Sequence, residues 1–114
     1  MDKIRERTSR QLRKGALEIL VLYLLKDRDM YGYQIIQELA GRSRDYFVLK
    51  EGTLYPVLYR LEDAGHLTAY WEEMHGERKA PKKYYKITPE GIEALKAMQA
   101  EWLSFAYNVN LLLN

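Results

Sequence analysis

The sequence predicts a mainly α (α+β) fold: three helices, a two-stranded antiparallel hairpin and a long last helix, packed as one unit. Three observations predict it. Apolar residues recur at steps of three and four in four separate stretches, as they do on helices buried along one face. Two stretches of strand-favouring residues flank a turn that contains Gly76 and Pro81. A chain of 114 residues is long enough for one core and too short for two.

The first helix is expected over residues 10–26, where Leu12, Ala16, Ile19, Leu20, Tyr23 and Leu24 recur at helical spacing. Leu17, Val21, Leu22 and Leu25 widen the apolar face until it nearly surrounds the rod, so this helix should be buried on most sides. Residues 27–30 form a polar break with no room for a strand. A second helix follows over 31–42, with Tyr31, Ile35, Ile36 and Leu39 as its stripe and Gly41 as its terminator. Residues 42–50 are mixed and irregular.

The third helix is expected over 51–64. Leu54, Leu58 and Leu61 make an i, i+4, i+7 stripe with Val57 beside it. Pro56 falls early, where a missing N–H is tolerated, and Gly65 ends the helix. Residues 67–74, with Thr68, Tyr70 and Trp71, and residues 82–87, with Tyr84, Tyr85 and Ile87, read as the hairpin strands. The turn between them, 75–81, carries Arg78 and Lys79. Thr88 then caps a fourth helix, with Pro89 at its first position and Glu90 in its first turn, running to about residue 113. Three helices followed by a two-stranded hairpin describe a winged helix-turn-helix, whose third helix enters the major groove of DNA and whose hairpin flanks it.

Charge is unevenly distributed. Residues 1–14 carry Lys3, Arg5, Arg7, Arg10, Arg13 and Lys14 against Asp2 and Glu6, a net +4. Residues 78–86 carry Arg78, Lys79, Lys82, Lys83 and Lys86 with no acid, a net +5. The whole chain is only +2, so the rest is acidic, −7. Such an asymmetry fits either a phosphate-binding surface or two solvated segments.

Three segments then carry a resemblance. Met30-Tyr31-Gly32-Tyr33-Gln34-Ile35-Ile36 opens the second helix, and residues 51–62, Glu-Gly-Thr-Leu-Tyr-Pro-Val-Leu-Tyr-Arg-Leu-Glu, form most of the third. Lys82-Lys83-Tyr84-Tyr85-Lys86-Ile87-Thr88-Pro89-Glu90-Gly91 closes the hairpin. In this order and separation they resemble the PadR-like transcriptional regulators over nearly the whole chain.

The resemblance implies a winged helix-turn-helix DNA-binding domain over 1–88 and a C-terminal dimerisation helix over 89–114, packed in the same compact unit. Gly32 leaves room for a close neighbour. Tyr31 and Tyr33 beside it either donate a phenol O–H to a phosphate or pack as boundary aromatics. Thr53 either meets a phosphate at the helix N-terminus or serves as an N-cap or first-turn residue. With Leu54, Leu58 and Leu61 turned inward, Thr53, Tyr55 and Pro56 lie on the opposite side, at positions that face DNA in this family. Lys50 and Arg60 flank them as phosphate contacts or as solvated cations. Arg78, Lys79, Lys82 and Lys83 would run along or into a minor groove, each neutralised phosphate steepening the log–log salt dependence by about 0.9.

Along the last helix, Ile92, Leu95, Gln99, Trp102, Ala106, Val109 and Leu113 form one seam; Leu95, Met98, Trp102, Phe105, Val109 and Leu112 form a second beside it. The combined stripe is wider than one small domain covers. Either a two-fold partner buries it or the helix folds back onto the first. A homodimer would present two reading helices to a pseudo-palindromic operator in double-stranded DNA. The chain is similar to the short subgroup of the family, in which multidrug-sensing members of the LmrR type hold flat aromatic compounds between tryptophans at the dimer centre. Trp102 stands at that position, either against a small aromatic or otherwise hydrophobic effector or packing the dimer. Glu18, Ile19, Leu22 and Tyr23 would line the same space. Ala106 is apolar where some drug-binding relatives carry an acid. The resulting expectation is a homodimeric repressor released by such an effector, or a DNA-binding regulator without one.

Other classes are poorly served. No cysteine is present, which excludes a disulfide scaffold, a thiolate metal site and a cysteine nucleophile, and fits a cytoplasmic protein. The longest apolar run, residues 19–25, is 7 residues and far short of a membrane span; no export signal is read in the charged N-terminus. His66, His75, Glu72, Glu73, Asp27 and Asp29 fall in no metal-ligand spacing, and there is no phosphate loop, nucleophile elbow or dinucleotide fingerprint. No enzyme, metal or cofactor is therefore expected. A winged-helix protein–protein adaptor is the rival that charge alone leaves standing.

Overall fold

The computed structural model describes residues 2–72 and 80–114. Its elements in chain order are α1 (Asp2–Leu25), β1 (Met30–Tyr31), α2 (Gly32–Arg42), α3 (Glu51–Asp63), β2 (Leu67–Trp71), β3 (Lys83–Ile87) and α4 (Pro89–Leu113). The three strands form an antiparallel sheet in the order β1-β3-β2.

The core is where the sequence stripes meet. Leu17, Val21, Leu22, Leu24 and Leu25 of α1, Ile35 and Leu39 of α2, and Leu54, Val57, Leu58 and Leu61 of α3 are all buried. Met30, Leu67 and Tyr85 close it from the sheet, and Leu95 from α4. At about 1.5–3 kcal/mol per large buried side chain, this cluster is the main reason the helices stay together.

Three local features differ from expectation, and one choice is settled. The break before α2 does hold a strand. Met30 and Tyr31 pair with Tyr85 and Tyr84 on the outer edge of β3, a two-residue element too short to leave a periodic signal. Helix α1 begins at Asp2 rather than Arg10. Its polar first turns contain good helix formers, and the loop after α2 braces it. The Ser9 hydroxyl lies 3.2 Å from that of Tyr46, and Arg13 Nη1 donates to the Tyr46 carbonyl at 3.0 Å. Gly41 lies inside α2, which stops at Ser43; its hydroxyl donates to the Leu39 carbonyl at 2.6 Å and accepts from Phe47 N at 2.9 Å. Thr53 is a first-turn residue of α3, one of the readings the sequence allowed, and not its cap. Lys50 holds that position, its carbonyl accepting from Thr53 N and Leu54 N at 3.0 Å each.

Elsewhere the punctuation acts as read. Gly65 ends α3 with φ +81°, a conformation that a side chain would strain. Thr88 Oγ1 accepts from Gly91 N at 2.9 Å and donates to the Gly65 carbonyl at 2.7 Å, so one hydroxyl caps α4 and ties it to the end of α3. Strand β2 stops at Trp71, short of residue 74, and β3 starts at Lys83; the pairing runs one step further through Glu72 N to the Lys82 carbonyl at 2.8 Å. The hairpin tip, residues 73–79, lies outside the described residues.

Candidate nucleic-acid interface

Because Leu54, Leu58 and Leu61 are turned into the core, α3 presents Lys50, Thr53, Pro56, Tyr59 and Arg60 outward, all exposed. Tyr55 is half-buried. Its phenol lies over Gly32 at the start of α2, where an ideal Cβ would sit 2.8 Å from Tyr55 Cζ. The missing side chain is thus what lets α2 and α3 approach, and it aims Tyr55. Burial and the Glu51 carboxylate raise the pKa of that phenol, so it remains an O–H donor. Pro56 offers no N–H to the Gly52 carbonyl one turn back, so that bond is missing from the first turns of the helix.

Tyr33 is 57% exposed beside this face. Tyr31 is half-buried and packs edge-on against Tyr84, with ring centroids 5.4 Å apart. Lys82 Nζ sits 4.7 Å from the centre of the Tyr31 ring, and Lys83 Nζ lies 5.9 Å from Tyr59 and 5.5 Å from Tyr85. The two wing-base lysines are therefore held over aromatic faces, with their charge kept at the surface. Tyr84 in turn stacks on Tyr70 at 5.6 Å, and Tyr70 donates to Asp29 Oδ2 at 2.6 Å. That bond, with the Asp29 charge behind it, pushes the Tyr70 phenol up to about 12. Tyr70 and Tyr84 entered the sequence reading only as strand residues, not as part of the site. The cross-strand pairing of Tyr70 with Tyr84 was the signal available.

Arg60 is engaged: its Nε lies 3.3 Å from Glu18 Oε2 on α1. Arg78 and Lys79 lie outside the described residues. The structure thus gathers Tyr31, Tyr33, Lys50, Thr53, Tyr55, Pro56, Arg60, Lys82 and Lys83 around α2, α3 and the wing base.

A second feature lies on the other side of α1. An open groove of about 920 Å³ between α1 and α4 is lined by Glu18, Ile19, Phe47, Met98, Trp102 and Phe105, among others. The Trp102 and Phe105 rings stack with centroids 6.1 Å apart. Two expected lining residues are elsewhere. Leu22 is fully buried in the core, and Tyr23 lines a separate hollow of about 240 Å³ against Glu38, Arg42 and Phe47. Of the expected seam on α4, Leu95 is likewise spent inside its own core. Met98 and Ala106 are half-buried, and Ile92, Gln99, Trp102, Phe105, Val109, Leu112 and Leu113 are exposed. Leu103, Tyr107 and Leu111 are exposed too, so the end of α4 is apolar almost all round, beyond the two seams read from sequence. Among the described residues no three metal-ligating side chains converge, and no helix is long and apolar enough to cross a membrane.

Comparison with known proteins agrees with this geometry. Residues 21–97 match the PadR-like family of transcriptional regulators. The chain is 38% identical to an uncharacterised protein of Lysinibacillus sphaericus, the match covering 78% of this chain and 80% of the relative. It is 33% identical to the transcriptional regulator Rv3488 of Mycobacterium tuberculosis over 75% of each chain. Its fold is similar to the crystal structure of a PadR family regulator from Eggerthella lenta, with TM-score 0.87, 34% identity, and 99% of this chain and 95% of that one covered. A transcriptional regulator from Clostridium thermocellum matches with TM-score 0.82 and 33% identity over 91% and 99%. A reading helix, a wing with lysines at its base and these relatives lead to one assignment: the chain belongs to the PadR-like family of transcriptional regulators, which bind DNA and are not enzymes.

Proposed function

We propose that this chain is a homodimeric repressor that grips a pseudo-palindromic operator and lets go when a small aromatic or otherwise hydrophobic ligand enters between the last helices. The observation that carries the proposal is the uncovered apolar end of α4 facing the α1 groove. Trp102, Phe105, Val109, Leu112 and Leu113 are 37–87% exposed in the single chain. A patch of that size on a lone subunit is costly in water, and a two-fold mate is its simplest cover. The unit would divide as a reading head over 1–88 and a dimerising rod over 89–114.

In the head, Thr53, Tyr55, Pro56 and Tyr33 meet the groove. Tyr31, Lys50, Arg60, Lys82 and Lys83 hold phosphates, with Arg78 and Lys79 at the wing tip. In the groove between head and rod, Trp102 with Ile19 forms the ligand wall, and Glu18 and Glu101 are its acids. Flat rings between indoles gain about 0.5–1.5 kcal/mol per pair beyond burial. A ligand that fits only one spacing of the rods changes operator affinity by its differential affinity for the two spacings.

Two measurements test this. Sedimentation at micromolar concentration should find a dimer; a well-folded single subunit would end the proposal. Calorimetry with neutral and charged planar aromatic compounds should find binding that Trp102→Ala weakens. An unchanged affinity would take Trp102 out of the ligand wall.

A further inference from the structure

The basic half of α1 meets the features described above only where Arg13 and Lys14 line the α1–α4 groove, and its layout is regular. Lys3, Arg7, Arg10 and Lys14 follow one another at steps of 4, 3 and 4. Leu17, Val21 and Leu24 continue the same line at 3, 4 and 3. A heptad rhythm drifts only about 20° per repeat on a straight helix, so all seven lie along one side of the rod. The second half of that line is buried in the core and the first half is exposed. The stripe thus leaves the head on the side of α1 that faces the core. Across that core lies α3, with its leucines inward and Thr53 and Pro56 outward.

Three further facts bear on its partner. The four cations span about 16 Å, at intervals of about 5 Å. Among the described residues none of the four is in an ion pair, although Lys26, Arg28, Arg42, Arg60 and Lys96 all are. The helix that carries them is braced. Ser9 and Arg13 bind Tyr46, and the Arg13 guanidinium lies 5.3 Å from the Tyr46 ring centre. Tyr46 is placed by two consecutive left-handed residues, Arg44 (φ 51°) and Asp45 (φ 64°), in the loop that runs on to Lys50 and α3. The stripe therefore keeps a set direction relative to the reading helix.

We propose that Lys3, Arg7, Arg10 and Lys14 form a second phosphate-contacting surface, laid against the backbone of duplex DNA outside the stretch gripped by α3 and the wing. This rests on the DNA-binding reading of the head. A row of exposed cations on a braced helix, without ion pairs among the described residues, complements a polyanion, and the duplex is the polyanion this head already meets.

The test is a salt titration of binding to a labelled mixed-sequence duplex, with wild type beside Lys3→Gln/Arg7→Gln/Arg10→Gln/Lys14→Gln. Glutamine keeps helix propensity, and circular dichroism checks that it has. The variant should bind more weakly, its log–log salt slope shallower by about 0.9 for each phosphate released, up to about 3.6 per protomer. Arg7→Gln/Arg10→Gln should show about half that change and guards against misfolding of the fourfold variant. Lys26→Gln/Lys96→Gln, on other surfaces, should keep the wild-type slope. An unaltered slope and affinity in the fourfold variant overturns the proposal. So does a fourfold variant that sediments as a smaller species than wild type, which would set the stripe against a second copy. Wild type that binds no duplex at any salt overturns the DNA reading as well, a result distinct from either.

Discussion

Gly91→Ala should weaken the fold by more than its chemistry implies. Gly91 is the third residue of α4 and is buried. An ideal Cβ there would lie 2.8 Å from Ile87 Cγ1 and 3.0 Å from the carbonyl carbon of His66, and closer still to the His66 oxygen. That oxygen belongs to the backbone. It accepts from Thr88 N at 3.1 Å, one residue after the left-handed turn at Gly65, so it has no rotamer by which to retreat. The whole start of α4 must move instead. Such overpacking costs about 1–3 kcal/mol, and a backbone obstacle places it in the upper half, about 2–3 kcal/mol, against about 1 kcal/mol gained by alanine over glycine in a helix. The net loss is about 1–2 kcal/mol, or a Tm lower by about 5–10 °C at fixed protein concentration. Gly41→Ala is the reference. It is helical and exposed with nothing within 4 Å of its added Cβ, and should gain about 0.5–1 kcal/mol. Urea unfolding followed by far-ultraviolet circular dichroism measures both. Gly91→Ala as stable as wild type, or stabilised like Gly41→Ala, would refute the claim that this contact sets where α4 leaves the head.

Gly32→Ala meets the phenol of Tyr55, a side chain that can turn away, so it should cost less than Gly91→Ala and should weaken DNA binding as well. Tyr55→Leu in the same chain should recover most of the lost stability, a non-additivity read from the double-mutant cycle. Glu18→Gln frees Arg60 from an exposed ion pair and should raise duplex affinity a few-fold at most, since such pairs are worth about 1 kcal/mol or less; a loss of affinity would place Arg60 outside the interface. Tyr70 has its folded pKa raised from 10.0 to about 12, so the folded state holds its proton more tightly. The stabilisation is full below pH 10 and is lost as pH rises from there toward 12. Asp29→Asn should return that titration toward the usual phenol value, visible as earlier phenolate absorbance.

What the sequence made legible was what repeats within one segment. The leucine stripes of α1, α2 and α3, the Thr88-Pro89 start of α4 and the Gly65 stop all act through neighbours a few residues away. Strand β1 was not legible because Met30 and Tyr31 become a strand only by meeting Tyr85 and Tyr84, more than fifty positions on. The first turns of α1 depend on Tyr46 in the same way. The groove shows the limit most clearly. Ile19 and Leu22 are equally apolar and one turn apart, yet Ile19 lines the groove and Leu22 is wholly inside the core. Which side of a helix that is apolar almost all round meets α4 is decided by packing between helices, and local spacing carries no record of it.

The two terminal helices share one design with opposite chemistry. Each has one half in the head's core, Leu17–Leu25 of α1 and the Gly91–Leu95 turn of α4, and one half that leaves it. A helix of this length gains little from propensity alone once it leaves the core, so the outer halves make sense as surfaces for something else. On α4 that half is apolar and excludes a polyanion as its partner. On α1 it is basic on the core-facing line and excludes an apolar one. If both outer halves met the same partner, one of the two would be mismatched in charge or in hydration. The division therefore argues for two different neighbours, a second protein surface for α4 and a phosphate backbone for α1. It also argues that neutralising the α1 line should spare self-association, whereas truncating Trp102 and Phe105 should impair it first.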